Sequence, residues 1–406
     1  MRTLFKNIGC LAGIVPFGVF RKEGQDMDQV ETLENAWLLA DGSRIGAFGS
    51  VSDPSPEQVD EVVDCEGGLL MPAFCDSHTH IVYAGSRDGE FLDKIKGLSY
   101  AEIAGRGGGI LNSSDLLNAT PEDELLEQSM ERVREVMAKG TGALEIKSGY
   151  GLCTVGEMKM LRVIDRIKAI VPAEVRATFL GAHAVGRGYS HDDYVNLVCR
   201  MMPQAARLAD FVDVFCEEGF FSVDDAGLIL DAGLRAGMRP KIHANQLAAS
   251  GGVQVGVRYG ALSVDHLEHS GQAEIEALRG KVTMPTFLPA SSFFLRLPDG
   301  PARDYIDAGL GVALASDYNP GSSPAGDMRW IWALGCICLR LTPNEAFNAV
   351  TLNGAYAMGV ADQAGSITVG KLANLILTKP GWTLTRIPYL HQTPCIRTVY
   401  LSGKPL

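Results

Sequence analysis

The sequence predicts an α/β protein: a (β/α)8 TIM-like barrel joined to a composite β domain formed by both termini. Three observations predict this fold. Between residues 69 and 362, short apolar strands alternate with amphipathic helical segments, giving about eight β/α units. The segments on either side contain short strands and turns with no helical period. Histidines also fall at the ends of several predicted strands, where parallel barrels carry their sites.

Residues 1–68 and 363–406 are the two parts of the predicted β domain, and 69–362 is the predicted barrel. A doubly wound parallel sheet is the alternative for this middle region. The turn Asp41-Gly42-Ser43 marks a hairpin in the first part. The predicted strands of the two end segments are 36–40, 44–48, 365–371, 373–378 and 395–401.

The middle region contains one strongly signalled helix, at 121–139. Thr120 is a suitable N-cap, Pro121 fits the first position, and Gly140 ends the helix. The next strand ends in the run from Glu145 to Gly149. The other predicted barrel strands are 70–78, 175–183, 211–216, 240–245, 262–267, 281–288 and 311–317.

Composition excludes some classes of partner. The 406-residue chain carries a formal net charge of -12 and no basic block, which argues against a nucleic-acid or anionic membrane surface. The nine cysteines are odd in number and none form a Cys-x-x-Cys pair, as in a reduced cytoplasmic protein. No apolar run reaches the roughly 18–20 residues that span a membrane.

The pair His78-Thr79-His80 ends the first barrel strand. Residues i and i+2 of a strand face the same side, so both imidazoles can approach one metal ion. Alone, this motif is better explained as an ordinary strand end. However, six of the eight histidines lie at predicted strand ends. Three histidines and one aspartate have the ligand chemistry of a catalytic zinc site, although Fe2+ accepts the same ligands. The predicted metal ligands are His78, His80, His243 and Asp317, with His183 and His266 nearby.

Several motifs resemble a known superfamily. The run from Pro72 to His80, the Ser316-Asp317 strand end and the tail from Val350 to Ile367 are similar to those of the amidohydrolases. Within that superfamily, the runs 145–151 and 317–324 resemble the imidazolonepropionase family, and the resemblance extends over nearly the whole chain. It implies a distorted TIM barrel with a composite β-sandwich, one divalent metal (Zn2+ before Fe) and a homodimer.

The resemblance also implies an activity and residue roles. The activity is hydrolysis of 4-imidazolone-5-propanoate, a carboxylate-bearing heterocycle, to N-formimino-L-glutamate in histidine degradation, with attack by metal-bound hydroxide on the ring carbonyl. Arg87 and Tyr150 match groups that hold the propanoate, and Asp317 and His266 match catalytic groups. The other substrate-pocket positions are Tyr100, His183, Asn319, Gly321 and Ser322.

Departures from the family pattern leave alternatives open. Gln246, the third candidate catalytic residue, stands where many relatives have glutamate, and an amide cannot shuttle a proton. Either the glutamine suffices to orient substrate or water, or the substrate differs. Ser322 stands where threonine is common, and both carry a hydroxyl. Lys147 is placed as a structural lysine rather than a carbamylated ligand of a second metal. The alternative functions are another cyclic-amide hydrolase, an aminohydrolase acting on a different heterocycle, or a non-catalytic scaffold.

Overall fold

The computed structural model of the protein describes residues 1–98 and 108–406. The strands in this part of the chain are β1 Arg2–Ile14, β2 Glu31–Asp41, β3 Arg44–Ser50, β4 Glu61–Asp64, β5 Gly68–Pro72, β6 Phe74–Thr79, β7 Thr141–Lys147, β8 Glu174–Ala182, β9 Phe211–Cys216, β10 Arg239–Pro240, β11 Ile242–Ala244, β12 Ser263–His266, β13 Met284–Phe287, β14 Ala313–Leu314, β15 Leu375–Pro380, β16 Ile396–Leu401 and β17 Lys404–Pro405.

Helices connect most of the barrel strands. In the same described ranges the α-helices are α1 Asp88–Ile95, α2 Gly109–Ala119, α3 Glu122–Ala138, α4 Thr154–Ile170, α5 His191–Ala205, α6 Val223–Arg235, α7 Gly252–Arg258, α8 Gln272–Leu278, α9 Pro289–Leu295, α10 Ala302–Asp307, α11 Met328–Ile337, α12 Pro343–Val350, α13 Leu352–Ala357 and α14 Arg386–Tyr389. A short 3-10 helix spans Gly24–Asp28.

The first sheet joins the two ends of the chain. Its eight strands run in the order β17-β16-β15-β5-β1-β2-β3, with β4 beside β1. The contact between the termini is the antiparallel pairing of β5 with β15, in which Met71 lies opposite Ile376. Apolar side chains from these strands enclose a separate core, where the rings of Phe5 and Tyr400 meet edge to face at 4.8 Å.

The second sheet is a parallel barrel. Its order is β6-β7-β8-β9-β11-β12-β13-β14, with β10 also paired to β9. The barrel closes beyond β14, where the N–H of Asp317 donates to the carbonyl of His78 at 3.0 Å. The N–H of His80 in turn donates to the carbonyl of Tyr318 at 2.9 Å. The closing seam therefore brings the first and last strands, and their ligand-type side chains, together.

The predicted (β/α)8 barrel with a composite β domain is confirmed, and the structure refines individual elements. The predicted strand 70–78 is two strands, because residues up to Pro72 pair in the first sheet and residues from Phe74 pair with β7. The predicted strand 240–245 is interrupted at Lys241. The division of the chain at 68 and 362 remains our proposal.

The helix predicted at 121–139 spans Glu122–Ala138, and its N-cap is Pro121 rather than Thr120. The hydroxyl of Thr120 instead donates to the carbonyl of Leu116 at 2.8 Å, so it closes the preceding helix.

All nine cysteines are free thiols. Among the described residues, no helix has both the length and the apolar character needed to cross a bilayer.

Candidate active site

Four donor atoms meet at the carboxyl end of the barrel. His78 and His80 come from the end of β6, His243 from β11, and Asp317 follows β14. The Nε2 atoms of His78 and His243 lie 3.2 and 3.4 Å from Nε2 of His80. Asp317 Oδ1 lies 3.6 Å from Nε2 of His78 and 3.5 Å from Nε2 of His80. Ligands about 2.1 Å from a tetrahedral Zn2+ stand roughly 3.4 Å apart. The three histidine nitrogens form a group that could hold such an ion, and Asp317 Oδ1 lies beside two of them.

The outer edges of two ligand rings are held by carboxylates. His78 Nδ1 lies 2.7 Å from Asp265 Oδ2, and His243 Nδ1 lies 3.0 Å from Asp213 Oδ2. This carboxylate–histidine arrangement directs the other nitrogen of each ring toward a metal. Burial, reinforced by nearby cationic groups, holds the pKa of His78 and of His80 well below the ordinary value. Both rings are therefore neutral, as metal ligation requires.

A buried charge network lies beneath these ligands. Lys147 Nζ donates to Glu145 Oε1 at 2.6 Å and to Asp213 Oδ2 at 2.8 Å. Lys241 Nζ donates to Glu145 Oε2 and, at 2.9 Å, to the carbonyl of Ser77. Burial opposes the ammonium charge of Lys147, but Asp213 and Glu145 outweigh it and raise its pKa. Because carbamylation needs a neutral amine, this ion pairing supports the structural role assigned to Lys147.

Lys147→Met is expected to lower the free energy of unfolding by about 3–5 kcal/mol, because it removes the buried cation that Glu145 and Asp213 share and leaves buried Asp213 without an ammonium partner. Lys139→Met is the matched control: its partner Glu135 lies 2.6 Å away in an exposed pair, so the loss should stay below about 1 kcal/mol. Equilibrium urea denaturation measures both. Equal losses in the two variants would contradict the assignment of Lys147 to a buried network.

His266 ends β12 next to the ligand cluster. Its ring centroid lies 5.3 Å from that of His243 and 5.6 Å from that of His78. Burial disfavours the imidazolium, but the charge and hydrogen bond of Glu268 offset that effect, so the pKa of His266 is raised. A protonated His266 is a suitable donor to a developing oxyanion.

His183 and Tyr150 form one wall of the site. The ring of His183 stacks on that of His80, with ring centroids 5.1 Å apart. The ring centroid of Tyr150 lies 6.0 Å from that of His80. His183 Nδ1 lies 3.1 Å from the carbonyl of Gly149. The loop that carries Tyr150 is held by buried Glu157, whose carboxylate accepts backbone N–H groups of residues 149, 151 and 152 at 2.7–3.0 Å.

The loop after Asp317 is folded around Asn319. Its Oδ1 accepts the N–H groups of Gly321 and Ser322 at 2.8 and 2.7 Å, and its Nδ2 donates to Ser322 Oγ at 2.7 Å. Ser322 Oγ donates to Asp317 Oδ2 at 3.2 Å. Asn319 and Ser322 therefore fix the loop and the carboxylate, whatever they contact in a substrate.

Arg87 approaches the same loop. Its guanidinium donates to both oxygens of Glu90, at 3.0 and 2.7 Å. A Cβ added to Gly321 would lie only 2.4 Å from Arg87 Nη1. Lys94 Nζ donates to the carbonyl of Gly321, so two cationic side chains border this glycine. Their positive charge suits a carboxylate.

Gly321→Ala is expected to raise KM for a carboxylate-bearing substrate by about 10-fold, because the new methyl group displaces the Arg87 guanidinium and weakens its charged hydrogen bonds. Gly89→Ala is the control, since a Cβ there meets nothing within 4 Å. Steady-state kinetics compare the two. An unchanged KM in Gly321→Ala would show that Arg87 is not sensitive to this contact.

Gln246 is buried and lies two residues beyond the end of β11, the strand that carries His243. Its backbone N–H donates to Glu217 Oε2 at 2.8 Å, and the carboxylate of Glu217 also accepts the N–H groups of Leu247 and Ala248 at 3.0 and 3.2 Å. The carboxylate of Glu217 thus fixes the loop that carries Gln246. Tyr100, the remaining predicted pocket residue, lies outside the described residues.

Sequence reasoning missed the carboxylates that support the site. A signal existed for some of them: Glu145 and Lys147 are two residues apart on one strand, and therefore share a face. Asp265 precedes His266 directly in the chain, and its carboxylate contacts Nδ1 of His78. Nothing local distinguishes Glu157 or Glu217 from surface acids, because their partners are backbone N–H groups of other loops.

Comparisons with known proteins agree with this geometry. The model of the amidohydrolase family matches residues 266–406. The chain resembles a zinc-bound atrazine chlorohydrolase from Arthrobacter aurescens, with a TM-score of 0.72 and 15% identity over 100% of this chain and 95% of the other. It also resembles a 5-methylcytosine deaminase from Klebsiella pneumoniae, with a TM-score of 0.74 and 14% identity over 98% and 97%. The family-model match over residues 266–406, the barrel fold and a histidine group that could hold a metal agree with the amidohydrolases, a class of metal-dependent hydrolases.

Sequence relatives narrow the class. The chain is 49% identical to an imidazolonepropionase of Flavobacterium johnsoniae and 47% identical to one of Christiangramia forsetii, over 100% of both sequences in each case. It is 37% identical to an imidazolonepropionase of Alkaliphilus oremlandii, over 98% of this chain and 96% of that protein. The chain belongs to the imidazolonepropionase family.

Proposed function

We propose that this protein hydrolyses 4-imidazolone-5-propanoate to N-formimino-L-glutamate. The observation that carries the proposal is that Arg87 borders Gly321 in the loop that begins at Asp317, and Asp317 itself lies beside the three-histidine cluster. A cation placed at the cluster and a guanidinium placed at its rim match a substrate with a reactive ring carbonyl and a carboxylate tail.

His78, His80, His243 and Asp317 would hold one divalent metal, and we propose Zn2+ before Fe2+. When bound, such a cation polarises a carbonyl and lowers the pKa of a water to about 7. Three nitrogen ligands and one oxygen ligand suit Zn2+. The same ligands accept Fe2+, so metal analysis of the purified protein decides between them.

The protein groups have separate tasks in this proposal. Asp317 takes the proton of the attacking water and passes it to the leaving ring nitrogen as the C–N bond breaks. His266 donates a hydrogen bond to the oxygen on which negative charge develops. Gln246 orients water or substrate without moving a proton. Arg87 and Tyr150 hold the propanoate, and His183, Asn319, Gly321 and Ser322 shape the pocket.

An assay with two classes of substrate tests the function. We expect the purified, zinc-loaded protein to convert 4-imidazolone-5-propanoate to N-formimino-L-glutamate and to leave neutral purines and pyrimidines unchanged. Turnover of a neutral heterocycle, with none of the imidazolone, would instead favour the alternative of an amidohydrolase acting on a different ring. Gln246 is the observation that favours this alternative, because the site has an amide where many relatives have a carboxylate.

We also propose that the protein works as a cytoplasmic homodimer on a small-molecule substrate, without a nucleic-acid or membrane partner. The net charge of -12 supports the absence of a polyanionic partner. Light scattering coupled to size-exclusion chromatography tests the oligomer: a mass near twice 43.5 kDa is expected, and a monomer mass at all concentrations would contradict it.

A further inference from the structure

Glu268 is a buried carboxylate with an incomplete set of partners. Only 5% of the residue is exposed. Its Oε1 lies 3.5 Å from His266 Nδ1 and accepts the hydroxyl of Ser292 at 2.9 Å. Its Oε2 has no hydrogen-bond partner in the part of the chain that the structure describes. Because an unsatisfied buried carboxylate oxygen destabilises the fold, its retention indicates a task beyond folding.

The backbone at the end of β12 brings this carboxylate to His266. His266 has φ of 92° and Leu267 has φ of 72°, both in the left-handed region that non-glycine residues rarely adopt. The N–H of Leu267 donates to the carbonyl of Ala244 at 3.1 Å, and the N–H of His269 donates to that of Asn245 at 2.8 Å. Such backbone strain is unfavourable and concentrates at functional sites.

The contact orients the His266 ring. Since Nδ1 lies on the side of Glu268, Nε2 is the nitrogen left to face a substrate. The ring is confined on its other sides by His243 and His78, at centroid distances of 5.3 and 5.6 Å. Gln246, by contrast, offers no carboxylate for such a role.

We propose that Glu268 is a positioning residue for His266: it accepts the Nδ1–H hydrogen bond and fixes the ring so that Nε2 meets the reacting carbonyl. This inference rests on the proposed hydrolase function. Residue 246 is an amide in this site, so it supplies no carboxylate. Glu268 is the carboxylate that orients a group of the site, and it does so through His266. Ser292, on α9, donates its hydroxyl to the same Oε1 and so holds the carboxylate in place.

Two substitutions at 268 separate positioning from stability. Glu268→Met removes the hydrogen bond at similar length, and we expect kcat to fall about 10- to 100-fold with KM changed less than about twofold. Glu268→Gln keeps an oxygen acceptor and should recover part of that loss. The control is Glu274→Gln, another buried carboxylate near β12, which accepts the N–H of Gly271 at 2.9 Å and has no role at the site.

A second readout does not depend on turnover. In zinc-loaded protein labelled with [15N]histidine, the ring nitrogens of His266 are identified by their loss in His266→Asn. We expect them to shift in Glu268→Met and to stay unchanged in Glu274→Gln. If Glu268→Met folds and has the same kcat and the same His266 resonances as the control Glu274→Gln, the inference is overturned. A wild-type protein that does not hydrolyse the imidazolone, but whose His266 resonances respond to Glu268→Met, would overturn the proposed function while leaving the contact established.

Discussion

Asp317→Asn is expected to lower kcat for imidazolone hydrolysis by at least about 10³-fold, the larger part of which comes from losing the proton acceptor. The carboxylate is both a proposed metal ligand and the group that moves the proton. Its geometry is set by Ser322 Oγ, 3.2 Å from Oδ2, so an asparagine of the same shape fits without repacking. The amide keeps one oxygen for the metal but cannot take up the proton.

Metal content must be measured beside the rate. Elemental analysis of Asp317→Asn is expected to find metal retained in part, so that kcat per bound metal still falls by about 10²-fold or more. Asp307→Asn is the control, because that carboxylate is 67% exposed and pairs with Arg303 at 3.0 Å away from the cluster. A variant that retains wild-type kcat per bound metal would remove Asp317 from the proton transfer.

Arg87→Met is expected to raise KM for 4-imidazolone-5-propanoate by about 10- to 100-fold with a smaller change in kcat, since a charged hydrogen bond contributes about 1.5–3 kcal/mol. The ring chemistry takes place at the metal cluster, whereas the guanidinium holds the propanoate. A substrate analogue without the propanoate should therefore lose nothing when Arg87 is replaced.

Two controls isolate the substrate contact. In Arg87→Met, Glu90 loses its cation but keeps the hydrogen bond from the N–H of Gly109 at 2.9 Å. Glu90→Gln therefore reports the effect of breaking the Arg87–Glu90 pair alone. Arg187→Met removes an exposed arginine whose partner Asp115 lies 3.0 Å away, and it should leave KM unchanged. An equal KM increase for the substrate and its truncated analogue would mean that Arg87 acts on the loop and not on the carboxylate.

The meeting of His78, His80, His243 and Asp317 was predictable because its information is local. Each of these residues stands at the end of an apolar strand, and a parallel barrel brings all such ends to one face. The pair His78 and His80 also shares one side of β6 by the period of two. The same pattern gave the barrel and the composite β domain. It did not reveal that the run 70–78 changes sheets at Ala73, because an apolar strand carries no mark of the partner it pairs with.

The support of the site was not predictable in the same way. Asp213 holds His243 from 30 positions earlier in the chain, and the pairing depends on the register of β9 against β11. Glu217 and Glu157 accept hydrogen bonds from backbone N–H groups, which almost any residue provides. No pattern of side chains in the sequence therefore predicts their roles. Glu268 depends on a backbone with positive φ at two non-glycine residues, which sequence propensity disfavours.

Titration of metal-free protein with Zn2+, with formation of N-formimino-L-glutamate from 4-imidazolone-5-propanoate as the readout, tests the central claim most directly. The donors in the described part of the chain fit one ion, and Lys147 is committed to ion pairs. We therefore expect no turnover before metal is added, then a linear rise that ends near one Zn2+ per chain. Full turnover in metal-free protein, a break near two ions per chain, or no product with zinc bound would contradict it.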